Sequence, residues 1–368
     1  MVSFGYPTRM HRAPELTMGV EEEFLLVDGD GRLSREGPDV AKEADEHGDG
    51  ELEAELKRCQ VEAVSPICRT PDEVVGHLSG LRNELARTAA KHGLRLLPSA
   101  CPIVPEAGLP EITPNPRYLR MARRFGATTR SVATCGCHVH VGIPDRATGI
   151  EISNRVRPWL PLLLAVTANS PFDGTDTGYE SWRYQEWSRW PSAGPPPLFD
   201  SLDHYESIVD AMLRSGALLD RGMIYWDIRL SDRHPTLEFR VSDVAVVPEH
   251  AALLATLIRG LAATAMDQLD TPPTEMPLPV LRANLWRASR VGLDGDGPHP
   301  VHGEPMPMQS QLDDLVELLT PVLGEDLEFV KAGVANLREH GTGAARQRRA
   351  FQQRNVFTDV VDAVVVPT

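Results

Sequence analysis

The chain is short of basic residues. Its 368 residues hold 37 Lys and Arg against 52 Asp and Glu, a net charge of −15. That balance argues against a nucleic-acid partner, because a phosphate backbone needs a basic footprint. It leaves a nucleotide substrate open, since a bound cation inverts the local field. Long apolar runs are lacking too. The longest candidate, Leu160 to Ala168, contains Pro161 and is far shorter than the roughly 20 residues of a membrane span. The first residues lack the apolar stretch of a signal peptide. Five cysteines, an odd count with no paired framework, suit a reducing cytosol, so the expected compartment is cytoplasmic. No Walker A pattern and no GxGxxG after a strand are present, which argues against P-loop and dinucleotide folds. Internal repeats are absent. What is there, 42% hydrophobic and 24% charged residues, is ordinary globular composition with material for a sizeable core.

Residues 1–15 read as a polar leader, 16–355 as one domain that becomes helical from about 280, and 356–368 as a tail of uncertain structure. Alternation predicts strands over 16–27, 55–64, 131–143, 225–231 and 236–243. The acidic stretch 43–55 reads as a solvated face or loop. Thr70 or Asp72 caps a helix to Lys91 whose apolar stripe is Val74, Val75, Leu78, Leu81 and Leu85. Further helices are expected over 118–125, 150–168 (bent at Pro158 and Pro161), 205–215 and 249–269. The last of these is apolar enough for a core or a subunit interface, so a homodimer is a possible state. Residues 94–116 read as an irregular connection, 169–200 as a functional loop or lid, and 272–279 as a linker. Strands separated by helices predict an α+β fold with a mostly antiparallel sheet.

Several acids and histidines fall on these strands. Side chains two apart on a strand share a face. Glu21 and Glu23 therefore point together, with Glu22 opposite. Acids in a row at a strand start repel one another, a penalty that a divalent cation removes or that an exposed edge strand tolerates. Glu55 and Glu62 are an odd number of residues apart, so both reach one cavity only if the segment bulges or Glu55 precedes the strand. His138 and His140 share a face, between Gly136 and Gly142, which allow close approach of another chain or a ligand. They are either a site or satisfied core histidines. Asp227 with Arg229, and Glu238 with Arg240, suit a structural ion-pair ladder or a site. Arg183 lies in the loop 169–200, and its fork fits phosphate or carboxylate. Carboxylates with a minor imidazole share suit Mg²⁺ or Mn²⁺ better than zinc.

Taken together, Met-Gly-Val-Glu-Glu-Glu-Phe (18–24), Gln-Val-Glu-Ala-Val-Ser-Pro-Ile-Cys (60–68), Thr-Cys-Gly-Cys-His-Val-His-Val-Gly (134–142), Asn-Ser-Pro-Phe-Asp-Gly-Thr-Asp-Thr-Gly-Tyr (169–179), Trp-Asp-Ile-Arg (226–229) and Leu-Glu-Phe-Arg-Val-Ser-Asp (237–243) resemble the glutamate–cysteine ligase type 2 family, the YbdK-type carboxylate–amine ligases. Asn284, 288–293 and 343–348 extend the match. The resemblance implies a glutamine-synthetase-like fold, a curved antiparallel sheet with helices packed on its outer face. It implies Glu21, Glu23, Glu62, His138 and Glu238 as metal ligands, with Glu55 a further one. Arg240 and Arg183 would meet phosphate or substrate carboxylate, and Arg229 joins Arg240 as a candidate nucleotide contact. The implied activity is ATP-dependent amide formation through an acyl phosphate, with ATP as co-substrate and Mg²⁺ (or Mn²⁺) as cofactor. Implied substrates are L-glutamate and L-cysteine, or another acid and amine handled by the same mechanism. A metal-dependent hydrolase built on the His-x-His pair is the rival reading. Residues 56–60 depart from the family's common wording.

Overall fold

The structure is a computed structural model that describes residues 16–45, 51–131 and 133–368. The expected leader lies outside the described residues. Seven strands form one antiparallel sheet: β1 (Met18–Val27), β2 (Glu51–Ala54), β3 (Gln60–Val64), β4 (Arg95–Leu97), β5 (Gly136–Gly142), β6 (Ile228–Leu230) and β7 (Thr236–Asp243). The order is β2-β3-β1-β5-β7-β6. Leu25 pairs with Gln60 on one edge of β1 and with Leu97 on the other, so β4 continues the edge that β5 occupies earlier. A bulge interrupts the β5–β7 pairing between Cys137 and Val139. Such bulges bend a strand and re-aim its side chains.

The two faces of the sheet differ in chemistry. Val20, Phe24, Val139, Val141, Leu237 and Phe239 point to one face and are buried. Helices Pro71–Lys91 and Pro248–Asp267 pack on that face and on each other. Thr70 caps the first, its Oγ1 accepting from Glu73 N at 3.2 Å. The second is buried over most of its length within the main core, so its apolar surface is spent inside the chain and not on a subunit interface. Glu22 also points to this face. It is fully buried and takes a bidentate fork from Arg82, with Nη2–Oε1 at 2.5 Å and Nε–Oε2 at 2.8 Å. Arg82 further donates to the carbonyls of Ala245 and Val246. One buried ion pair thus ties sheet, helix and the chain after β7 together.

Several expectations need correction. The strand expected over 55–64 is a hairpin of β2 and β3, in which Glu53 pairs with Glu62 and Ala54 with Val61. Glu55 sits on the connection between them. In the acidic run before it, Asp45 is exposed at the end of helix Gly37–Asp45 and Glu51 and Glu53 are exposed on β2, a solvated face as expected, while 46–50 lie outside the described residues. The strand expected from 131 begins at Gly136, and Ser131 instead ends a short helix, Ala127–Ser131. The helix expected over 150–168 is split into Arg146–Val156, a 3₁₀ turn Arg157–Trp159, and Leu160–Thr167. Pro158 and Pro161 remove the donors that a continuous helix needs. The expected linker is tied down, since Met276 O accepts from the buried Arg157 at 2.9 Å. The tail does not begin at 356. Helix Phe357–Val364 buries Val360, Val361 and Val364 in a second core under β1 and β4, because its spacing supplies an apolar stripe.

Candidate active site

The polar face of the sheet gathers the chemistry-bearing residues. The registers set Glu23 opposite Glu62, Glu21 opposite His138, and His140 opposite Glu238. Directly opposed residues on antiparallel strands share a face. One row across five strands therefore carries Glu53, Glu62, Glu23, Glu21, His138, His140 and Glu238. Glu55 reaches the same basin from the hairpin connection. Of the two routes open to the sequence reading, a bulge or a position before the strand, the structure takes the second.

Among the described residues three overlapping groups could hold a metal ion: Glu21, His140 and Glu238; Glu21, Glu62 and His138; and Glu23, Glu55 and Glu62. Within each set one donor atom per residue lies within 4.8 Å of the others. No set has more than one imidazole, so the donor chemistry is mostly hard oxygen, as Mg²⁺ and Mn²⁺ require. His140, left out of the implied ligand set, belongs to this group. The signal for it was its shared face with His138.

The charge balance points the same way. Burial, then Glu21, Glu55, Glu23 and Glu53, push the Glu62 carboxyl well above the usual carboxylate range. Burial and Glu23 push Glu55 up to about 7. Burial acts on Glu238 as well, but Arg229 and Arg240 overcome it and hold this carboxyl well below its ordinary value. Burial of Glu21 is likewise overcome by hydrogen bonds from His138 and His140. Burial and Arg240 depress His138, which keeps its ring neutral and its lone pair available. His140 Nε2 lies 3.0 Å from Glu21 Oε1 and its Nδ1 2.8 Å from Thr236 Oγ1, so the ring is held against the crowded carboxylates that a divalent cation would bring together.

The arginines take different parts. Arg229 grips Glu238 with Nε–Oε2 at 2.7 Å and Nη2–Oε1 at 2.9 Å, and spends Nη1 on the carbonyls of Gly222 and Ile224. It holds Glu238 in place, and most of its donors are committed to the protein. Asp227 is not its partner. Arg240 donates to Glu238, lies 3.4 Å from His138 Nδ1 and stacks over Tyr225, while its buried Nε has no partner. Arg183 is buried beneath the start of β5, donating to the carbonyls of Arg240 and Val241, and its Nε is also unpartnered. A Cβ on Gly136 would sit 2.4 Å from Arg183 Nη2, so glycine there admits the guanidinium.

Segment 169–200 is pinned instead of free. Asp243 accepts from Asn169 N, Ser170 Oγ and Ser181 Oγ at 2.7–2.8 Å, and Ser170 Oγ in turn accepts from Arg183 N at 3.0 Å. Gln347 donates to Asn169, and Arg348 to Asp176, Glu180 and the Tyr179 carbonyl. Through these contacts the 169–179, 237–243 and 343–348 motifs act together to fix helix Trp182–Trp187, which carries Arg183. Lys57 and Gln60 were missed by sequence reasoning. Lys57 Nζ is buried without a carboxylate partner among the described residues and donates to the carbonyls of Arg130 and Pro110. Gln60 Nε2 donates to Thr134 O at 2.7 Å. Both fasten the acid-bearing hairpin to its surroundings.

Asp227 is buried, accepts from Tyr184 Oη at 3.0 Å, and is pushed up to about 7 by burial. A carboxyl with a raised folded-state pKa holds its proton longer in the native state. Stability is then lost as pH rises from the unfolded value, about 4, through about 7. Asp227→Asn is expected to leave the melting temperature unchanged at pH 4 and to stabilise the protein by about 1–3 kcal/mol at pH 8. A melt series that shows no pH-dependent difference contradicts this assignment.

Comparison with known proteins bears on the whole chain. The profile of Glutamate-cysteine ligase family 2 (GCS2) matches residues 17–363. A Rhodococcus jostii (strain RHA1) protein provisionally named glutamate–cysteine ligase 2-1 is 49% identical over 362 residues, covering 97% of each chain. A Saccharopolyspora erythraea protein of the same provisional name is 45% identical, covering 96% of this chain and 95% of its own. Among solved structures, a glutamate–cysteine ligase from Francisella tularensis in complex with AMP superposes with a TM-score of 0.68 at 14% identity, covering 95% of this chain and 87% of that one. A bifunctional glutathione synthetase from Pasteurella multocida gives 0.70 at 17% identity, and this chain spans 51% of its length. These likenesses establish the glutamine-synthetase-like ligase fold.

Proposed function

Because the chain belongs to glutamate–cysteine ligase family 2, we propose that it is an ATP-dependent carboxylate–amine ligase. The acid is L-glutamate or a close analogue, and the amine is L-cysteine or another small amine. A carboxylate resists direct attack by an amine because its leaving group is oxide. Its oxygen first attacks the γ-phosphorus of ATP, the bond to ADP breaks, and an acyl phosphate forms. The amine nitrogen then bonds to the acyl carbon, the C–O bond breaks, phosphate leaves, and the nitrogen sheds a proton.

Glu21, Glu23, Glu55, Glu62, His138, His140 and Glu238 are the residues to hold Mg²⁺ or Mn²⁺. Bound there, the cation neutralises triphosphate oxygens and the charge that grows during transfer. Arg240 and Arg183, buried and each with an unpartnered Nε, are assigned the role of donors to phosphate or substrate carboxylate. Arg229 keeps Glu238 charged and oriented. A hydrolase built on His138 and His140 gains no support, since each imidazole sits among carboxylates and not with the other.

The observation that carries this reading is the convergence of acids from β1, the β2–β3 hairpin and β7, with the two histidines of β5, on one basin. The test supplies purified protein with MgATP, hydroxylamine and a panel of amino acids that includes L-glutamate. Hydroxylamine traps an acyl phosphate as a hydroxamate. Hydroxamate and ADP are expected in equal amounts, dependent on Mg²⁺ and on an acid. ADP release that no amino acid stimulates, or no hydroxamate at all, overturns the reading.

A further inference from the structure

A cavity of about 300 Å³ opens beside the acid basin. Its outer rim is exposed chain, with Glu106, Leu109 and Thr175. Its floor is buried, with Cys101, Ala133, Thr134 and Glu186. Part of that floor is the segment that leads into β5. Thr134 O accepts from Gln60, and two residues on Gly136 N donates to Glu23 Oε2 at 2.6 Å. The cavity and the carboxylate basin therefore share one wall, and helix Trp182–Trp187 spans both, with Arg183 buried at the basin and Glu186 lining the cavity.

The lining has a chemistry opposite to that of a phosphate site. Among the described residues it holds three carboxylates and no lysine or arginine. Glu106 accepts from Leu33 N and so holds the rim. Asp173 accepts from Trp182 Nε1 at 3.3 Å. Glu186 shares a salt bridge with Arg189. Burial pushes the Glu186 carboxyl up and Arg189 offsets this only in part, so a further cation would relieve it, while Asp173, exposed at the rim, is pushed up too, against its hydrogen bond from Trp182. Thr134, 4% exposed, lines the same cavity with an Oγ1 that has no hydrogen-bond partner. The remaining wall is small and apolar: Val104, Pro105, Gly174 and Cys101. A volume of this size suits one small molecule.

We propose that this cavity binds the amine substrate of the ligase reaction, a small primary amine that is cationic when free, and that Asp173 and Glu186 select it. The inference rests on the proposed ligase function. On this account the arginine-bearing side of the basin takes phosphate, the acidic cavity takes ammonium, and the acyl carbon lies between them. Gly174, with φ +67° and room for no Cβ against Pro105, shapes the rim beside Asp173.

The test compares two kinds of nucleophile with the same protein, MgATP and L-glutamate. Hydroxylamine, small and uncharged, reports acyl-phosphate formation and needs no ammonium pocket. L-Cysteine, cysteamine and ethanolamine report the pocket. In Asp173→Asn and in Glu186→Gln, the ratio of primary-amine turnover to hydroxamate turnover should fall roughly tenfold or more, through a higher KM for the amine, as expected for losing a charge-assisted hydrogen bond. Thr175→Trp fills the rim without removing a charge and should lower the same ratio. An unchanged ratio in all three variants overturns the inference. So does a wild-type protein that forms hydroxamate while none of the three amines is used or competes. A wild-type protein that forms no hydroxamate overturns the ligase function instead, so the two failures are told apart.

Discussion

Glu62→Gln is expected to abolish ATP-dependent ligation and, at the same time, to stabilise the metal-free protein. The residue belongs to two of the three ligand sets, with Glu21 and His138 on one side and Glu23 and Glu55 on the other. Its carboxyl is pushed well above the ordinary range by burial and by the surrounding acids. That shift means the charge is unwelcome until a cation is present. An amide of the same shape removes the repulsion but is a poor ligand for a hard cation. Activity should fall by about 100-fold or more, the scale on which lost metal affinity acts. The melting temperature in EDTA should rise by roughly 1–2 °C for each kcal/mol of repulsion relieved in a chain of this length. A variant with full activity would remove Glu62 from the chemistry. A variant that is inactive and also less stable in EDTA would make Glu62 a structural residue.

The opposite pattern is expected one residue over, on the other side of β1. Arg82→Leu should destabilise by about 3–5 kcal/mol, because it leaves Glu22 buried and unpaired beneath helix Pro71–Lys91. The loss is larger than that of an ordinary core substitution, since two carbonyls, Ala245 O and Val246 O, lose a donor as well. Adding Glu22→Leu should recover at least half of it, because a neutral pair of similar volume needs no counter-charge. Urea melts of the two single variants and the double variant measure the coupling. If Arg82→Leu alone costs under about 1 kcal/mol, the ion pair does not hold sheet to helix as described.

Much of the site could be read from the alternation of side chains. Glu21 and Glu23 share a face with Glu22 opposite, and the sequence places them so; what it cannot supply is the partner strand, and only the register brings Glu62 and His138 to them. Glu55 shows the limit of spacing arguments. Its odd separation from Glu62 fits either a bulge or an early position, and the turn between Ala54 and Gln60 is invisible to periodicity. Arg229 shows another limit. Its neighbour along the strand is Asp227, but its partner lies across the ladder, at Glu238. Arg183 sits in a stretch of Gly, Pro and Trp that reads as a free loop. The stretch is ordered by Asp243, Ser289 and Arg348, residues distant in sequence whose role emerges only from contacts. The helix at 357–364 was hidden by its position near the chain end, although Val360, Val361 and Val364 carry helical spacing.

The central claim is that the acids of β1, β3 and β7, with the histidines of β5, hold divalent cations for a triphosphate. Electron paramagnetic resonance of free Mn²⁺, titrated with protein and with or without ATP, reads this directly. The wild-type chain should remove Mn²⁺ from solution, more tightly when ATP is present, and Glu62→Gln should do so at least about tenfold more weakly. Equal Mn²⁺ uptake by the two proteins, or none by the wild type, would contradict it.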